Sequence, residues 1–509
     1  MALKFNNGGE GGIRTHGCLA TSPDFESGTF DHSATSPRGA DYTREAAVGN
    51  STHGGKALAK LLRLICCLAL ACLAACTRID PPETDGRLVV AVRETPAFFQ
   101  QEGATASGFE HDLVTAFADS LGLKVRFIKA ADSFELNDMA VAGRVHLAAS
   151  MPLGNGALQF STPIRTLTQW IVGHNESLGP RQLSDLAGQT VEVMAGSPLA
   201  DTLRGLDEKS RPIVVDVPGV NEMELLARVA EHKSELAAVH GIHIDLGINF
   251  YPELSPLIQL PGKLEFGWAF GGEKAGELRA KADAFIAAAR ADGTLARIHD
   301  RYFGHIKRIN AEGIAKFLDD TRSKLPNWRR HFQSAQDLSG IDWRLLAALA
   351  YQESHWDQLA TSPTNVRGMM MLTEDTADYL RVKNRLDANE SIRAGARYLA
   401  ELMEQIPDAK EPDRLWLALS AYNLGMGHFR GARSIAKSMK RDPDVWYDMK
   451  QVLPQLARPE IYARLKSGAA RGGEAVIMVE NIRSYYDILS RFEPAHNSPF
   501  TAQPAFSQR

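Results

Sequence analysis

Residues 351–373 read YQESHWDQLATSPTNVRGMMMLT, and residues 420–425 read SAYNLG. The first stretch closes the apolar run IDWRLLAALAYQES, in which Leu345, Leu349 and Glu353 stand at i, i+4 and i+8. That spacing places them on one stripe of a helix, the stripe that otherwise faces a core. A carboxylate there loses hydration, so its pKa rises toward the range a general acid needs near neutral pH. Glu353 is therefore the candidate acid/base. A single such Glu could equally be paired with an Arg or exposed at the helix end, so its neighbours decide. These are a Gly–Met-rich turn, with Met370 and Met371, and the aromatic–amide pair Tyr422-Asn423.

Outward from this stretch the chain divides in two. Residues 335–492 read as an all-α domain: Ser391–Met403 and Trp416–Tyr422 repeat apolar residues every three to four positions. Residues 85–305 read as an α/β domain. LVVAV (88–92), VRFI (125–128), VHLAAS (145–150), WIVG (170–173), TVEVM (190–194), IVVDV (213–217) and LAAVH (236–240) alternate with helical segments such as HDLVTAFADSLG (111–122). Such alternation predicts a mainly parallel sheet. Residues 306–334, with spaced apolar positions among many charges, read as a helical connector, and 493–509 as a loose tail.

The 509 residues exceed what one core organises, and a net charge of −4 offers no electrostatic footprint for nucleic acid. All five cysteines lie at or before Cys76, which excludes a cysteine metal site or a disulfide framework in the folded part. Residues 56–76 read as a lipoprotein signal peptide. Lys56, Lys60 and Arg63 precede a short apolar run, which ends in Leu73-Ala74-Ala75-Cys76. Cys76 is the expected lipidation site, and a plain signal peptide is the alternative. Residues 1–55 are polar and out of place before a signal segment, so translation is expected to start nearer residues 48–58. His240 and His243 stand three apart without evident ligand partners and read as ordinary surface or cleft residues, with no metal site.

The motifs carry two resemblances. GFEHDL (108–113), FSTPI (160–164), GSPLADTL (196–203) and ADGTLARIHDRYFG (291–304) resemble solute-binding proteins for amino acids and similar polar solutes. That implies two α/β lobes joined by crossover strands around a ligand cleft. MPLGNGALQFS (151–161) lacks the Arg that usually grips a ligand carboxylate just before the FS motif, which puts the usual amino-acid pose in doubt. Glu353-Ser354-His355-Trp356, the turn Gly368-Met369-Met370-Met371-Leu372-Thr373, and Ala421-Tyr422-Asn423 resemble lytic transglycosylases with a lysozyme-like catalytic domain. Among these the chain resembles the membrane-bound F group, which fuses that domain to a solute-binding-like one. The motif near Met478–Ile482 departs from the family, because relatives usually carry Tyr where Met478 stands.

The resemblance implies non-hydrolytic cleavage of the MurNAc–GlcNAc bond of peptidoglycan, leaving 1,6-anhydro ends, without a cofactor. Glu353 would act as acid and then base. Ser354, Met370, Met371, Tyr422, Asn423 and Glu480 would contact substrate. The cleft would take muropeptide-like ligands, and a lipid anchor would hold the protein in the periplasm at the inner face of the outer membrane. A hydrolytic muramidase and a non-catalytic cell-wall sensor are the alternatives.

Overall fold

The computed structural model describes residues 79–497 except 104, 155, 157 and 273. The leader (1–55), the signal segment with Cys76 and the end of the tail lie outside the described residues. The strands are β1 (Arg87–Arg93), β2 (Gln100–Glu102), β3 (Thr105–Ser107), β4 (Lys124–Ala130), β5 (Leu147–Pro152) and β6 (Gln159–Phe160). They continue as β7 (Arg165–His174), β8 (Thr190–Met194), β9 (Ile213–Val217), β10 (Leu236–His240) and β11 (Leu254–Phe270). The main sheet runs β4-β1-β5-β11-β7-β10-β8-β9, with β6 beside β11; β2 and β3 pair separately.

The continuous apolar strands are covered on both faces, as expected of parallel strands flanked by helices. In β1, Leu88, Val90 and Val92 enter one core while Val89 and Ala91 enter another. Ala237 and Val239 of β10 divide likewise from Leu236 and Ala238. The helix Phe109–Ser120 buries Leu113, Val114 and Phe117, and Gly122 just beyond it takes φ +68°.

The expectation of a mainly parallel sheet holds only within each lobe. β1 runs parallel to β4 and β5, and β8 parallel to β9 and β10. Between the lobes β7 and β11 are long antiparallel partners, with Leu254 opposite His174 and Phe266 opposite Arg165. β11 continues into the first lobe, where Phe270 faces Leu147 of β5. The sequence hides β11 because Pro256, Pro261 and Gly262 read as breaks; register shifts between Pro256 and Ile258 and between Gln259 and Lys263 accommodate them.

The α part is built around the helix Trp343–Ser354, flanked by Leu325–Ser339, Ala388–Glu404 and Gly472–Phe492. Part of the expected connector packs into this core. The Phe317 ring lies 4.6 Å from Tyr351 and 4.4 Å from Tyr485, and Phe332 is fully buried.

The helix Thr294–Phe303 brings the α/β part onto the α part. Arg301 Nη1 meets Asp112 Oδ2 at 2.7 Å and its Nη2 meets Asp413 Oδ2 at 3.0 Å. Arg483, 2% exposed, donates to the carbonyls of Asp300 and Arg301 at 3.0 and 2.7 Å and to Glu480 Oε1 at 2.8 Å. Trp446 Nε1 donates to the same Glu480 oxygen at 2.7 Å, and Lys450 bonds Asp300. Burial alone would raise the Glu480 pKa, but the Arg483 and Lys450 charges outweigh it and hold it below the usual value. Removing Arg483 would leave Glu480 buried without its nearest counter-charge. Arg483→Met is expected to cost about 3–5 kcal/mol in urea unfolding. Arg322→Met, at an exposed pair with Asp319, is expected to change stability by less than about 0.5 kcal/mol.

Candidate active site

The helix Trp343–Ser354 begins where the Asp342 side chain accepts from Arg344 N at 2.8 Å. Every residue from Trp343 to Tyr351 is buried. The helix stops because His355 and Trp356 both take left-handed backbone, with φ +52° and +58°. That conformation is costly for bulky residues and persists where surrounding contacts fix it. Here they do. Trp356 folds back so that Nε1 donates to Ala347 O at 2.8 Å, and its ring lies 4.7 Å from Tyr351. Tyr351 in turn donates to Asp320 Oδ2 at 2.9 Å.

Glu353 emerges from this end into a groove that it lines with Gln352, Asn423, Glu474, Ile477 and Met478. Desolvation alone pushes its carboxyl up from the ordinary 4.5 to about 8. Glu474 is mostly exposed and pairs loosely with Arg471 at 3.5 Å. Gln352 is held by a 3.1 Å hydrogen bond from Asn481 Nδ2. Glu474, Ile477, Met478 and Asn481 recur at i, i+3, i+4 and i+7 on the helix Gly472–Phe492, a stripe that the sequence displays but that motif reading passed over.

The other predicted residues divide. Asn423 lines the groove with Glu353. Tyr422 donates to Met370 O at 2.8 Å, and burial, then the nearby Glu353 charge, push its phenol well above the usual value. Ser354 Oγ sits 3.0 Å from Ala350 O and 2.9 Å from Met369 O, so it ties the helix end to the Met-rich turn. Met370 is a correction: it is wholly buried, packed against Gly395, with its amide donating to Ser391 Oγ at 3.1 Å. Met371 is half-buried, with φ +47°. Gly368 is irreplaceable in this turn, since at φ +85° a Cβ would stand 1.8 Å from Arg385 O. Glu480 is also a correction: it engages Trp446 and Arg483 at the domain interface and does not line the groove.

A second site lies between the lobes. Its lining includes Arg93, Glu110, Arg165, Glu222, His240 and His243. An Arg does reach this cleft, from the start of β7 and after the FS motif. Arg165 Nη2 bonds Glu110 Oε1 at 2.9 Å and Ser150 Oγ at 2.6 Å, and the guanidinium lies 4.4 Å from the Phe98 ring centroid. Its Nε and Nη1 are buried without a protein partner. The reading of His240 and His243 as lacking partners is overturned. Their Nδ1 atoms lie 2.6 and 2.7 Å from the two oxygens of Glu222. Burial would raise the Glu222 pKa, but the two imidazoles outweigh it and hold it well below the usual value.

Comparison with known proteins matches both halves. Residues 88–305 match the family described as bacterial extracellular solute-binding proteins, family 3, and residues 330–445 match the transglycosylase SLT domain. The chain is 43% identical to a membrane-bound lytic murein transglycosylase F of Thiobacillus denitrificans, over 84% of this chain and 93% of that one. It is 40% identical to the protein of that name from Methylobacillus flagellatus, over 86% and 95% of the two chains. A third, from Nitrosospira multiformis, is 40% identical over 82% and 88%. With 43% and 40% identity running through most of each chain, this protein belongs to the membrane-bound lytic murein transglycosylase F family.

Proposed function

We propose that the chain is a peptidoglycan lytic transglycosylase in which Glu353 is the single acid/base. The observation that carries this reading is a half-buried carboxyl at the wall of an open groove, with desolvation pushing its pKa up to about 8. Cleavage of a glycosidic bond needs a proton delivered to the leaving oxygen and support for an oxocarbenium-like C1. Glu353 gives its proton to the departing GlcNAc oxygen while the N-acetyl oxygen of MurNAc closes on C1. Glu353, now a carboxylate, removes the proton of the MurNAc 6-hydroxyl, whose oxygen then bonds C1 and displaces the acetamido oxygen. The 1,6-anhydro end forms, and the proton is back on Glu353. Asn423 faces the same groove and can orient the acetamido group; Tyr422 and Ser354 support the site by fixing the Met-rich turn.

Glu474 favours a second reading. As a solvated carboxylate in the same groove it could activate water, as the base of an inverting hydrolase does. Product mass separates the two, because a hydrolase adds one water.

The lobe cleft is read as a site for muropeptide-like ligands. Two unpartnered nitrogens of Arg165, with Arg93 nearby, suit a ligand carboxylate. The relatives are named membrane-bound, and no described helix is long and apolar enough to cross a membrane. A lipid on Cys76, holding the protein to the outer membrane from the periplasm, fits both facts.

Glu353→Gln is expected to lower release of anhydro-muropeptides from sacculi by about 10²–10⁴-fold or more. Glu474→Gln is expected to leave the rate within about threefold; a loss comparable to that of Glu353→Gln, with hydrated products, establishes the hydrolase instead. Since the free enzyme must hold its proton on Glu353, kcat/KM should fall as pH rises through about 8. A folded pKa above the unfolded one means that the native state binds the extra proton, so stability is lost as pH rises from about 4.5 toward 8. Glu353→Gln should therefore raise the melting temperature more at pH 8 than at pH 5. In calorimetry, muropeptides should bind the intact chain saturably and free amino acids should not; the reverse result removes the ligand assignment.

A further inference from the structure

We propose that Glu222, His240 and His243 form a binding site for a divalent metal ion of the zinc class on the wall of the lobe cleft. This goes beyond the reading of the cleft as a muropeptide site and does not depend on it. One ligand atom from each residue lies within 4.8 Å of the others. Two imidazoles and one carboxylate are a common zinc set, and tetrahedral ligation leaves a fourth position. All three residues line the cleft.

The ligands come from rigid places. Glu222 is the first residue of the helix Glu222–Ala230, His240 ends β10, and His243 sits in the first turn of the helix Gly241–Ile248. All three side chains are nearly excluded from solvent, at 4%, 4% and 11% exposure. The Phe98 ring lies 5.1 Å from that of His243, and the Phe266 ring lies 5.0 Å from that of His240. The imidazoles are thus fixed without a metal, as a preformed site requires.

One further observation points to a cation. The metal would sit against the Nδ1 atoms that face Glu222, so the buried Nε2 atoms, which have no hydrogen-bond partner, would carry the ring protons. Among the described residues no Lys or Arg bonds Glu222; its oxygens meet only the two imidazoles and the His240 amide, at 2.7 Å. Arg93 shares the cleft wall and acts on Glu222 through space, while its guanidinium donates to Ser133 Oγ, Met194 Sδ and Val220 O, at 3.1, 2.7 and 3.3 Å. A metal between the imidazoles and the carboxylate would place a full positive charge directly against Glu222. Another His-rich group, His174, Glu176 and His232, is a weaker candidate because Glu176 and His232 are exposed. It serves as the internal control.

The test uses the full chain, stripped with a chelator, titrated with Zn²⁺ and, separately, with Co²⁺. One metal per chain should survive gel filtration. X-ray absorption of the zinc form should show two imidazoles, and the Co²⁺ form should absorb in the visible with the intensity of a four- or five-coordinate site. His243→Gln and Glu222→Gln should each weaken binding by about 10²-fold or more, whereas His232→Gln should leave it unchanged. Retention of less than a fifth of an equivalent by the wild-type chain overturns the proposal, as does coordination by fewer than two imidazoles. Loss of binding through His232→Gln alone does so too. The wild-type readouts decide the matter even where a cleft variant fails to fold.

Discussion

Desolvation raises the pKa of Glu353, and much of that desolvation comes from residues packed behind it that do not line the groove. Burial is the sole cause of its raised pKa, with no carboxylate neighbour contributing. A carboxyl on the last turn of a helix would ordinarily lie in solvent. This one stays desolvated because the helix under it is buried through Tyr351 and because the chain turns back at once through His355 and Trp356. Trp356 seals the turn against Ala347, Ser354 ties it to Met369, and Tyr422 holds the next residue of that loop through Met370 O. Left-handed backbone at two successive bulky residues costs energy that only this packing sustains.

The helix Gly472–Phe492 does two jobs on opposite faces. Glu474, Ile477 and Met478 line the groove and Asn481 braces Gln352 beside it, while Glu480, Arg483, Ser484 and Asp487 face the α/β part. Arg483 alone reaches two carbonyls of the helix Thr294–Phe303, which itself holds Asp112 through Arg301. The groove wall and the domain interface therefore share one helix.

What was legible followed from local periodicity. Glu353 stood out because its stripe is otherwise apolar, and β1 and β10 because continuous apolar runs need cover on both faces. What was missed depended on contacts between distant segments. Met370 and Glu480 share motifs with groove residues, yet a one-residue offset turns a helical side chain by about 100°, enough to take it out of the groove. His240 and His243 were visible as a pair, but the carboxylate that joins them is 18 residues before His240 and arrives only when two helices and a strand converge. Arg165 is hidden in the sequence because it follows the FS motif instead of preceding it, at the head of a crossover strand.

Two carboxyls share the groove, and their surroundings assign them different parts. Glu474 is solvated and has Arg471 within reach. Glu353 is poised by desolvation alone, and a glycan filling the groove displaces more water and strengthens the same bias. That bias favours the acid only until the bond breaks. In the proposed mechanism positive charge then appears on C1 and the acetamido group closing on it, beside the carboxylate that has just formed, and stabilises it as an anion long enough to take the proton of the 6-hydroxyl. Once C1 is neutral again, the dry site favours the protonated acid, which is the state the next cycle needs. One carboxyl can serve both steps because the substrate's charge rises and falls in the order the chemistry requires.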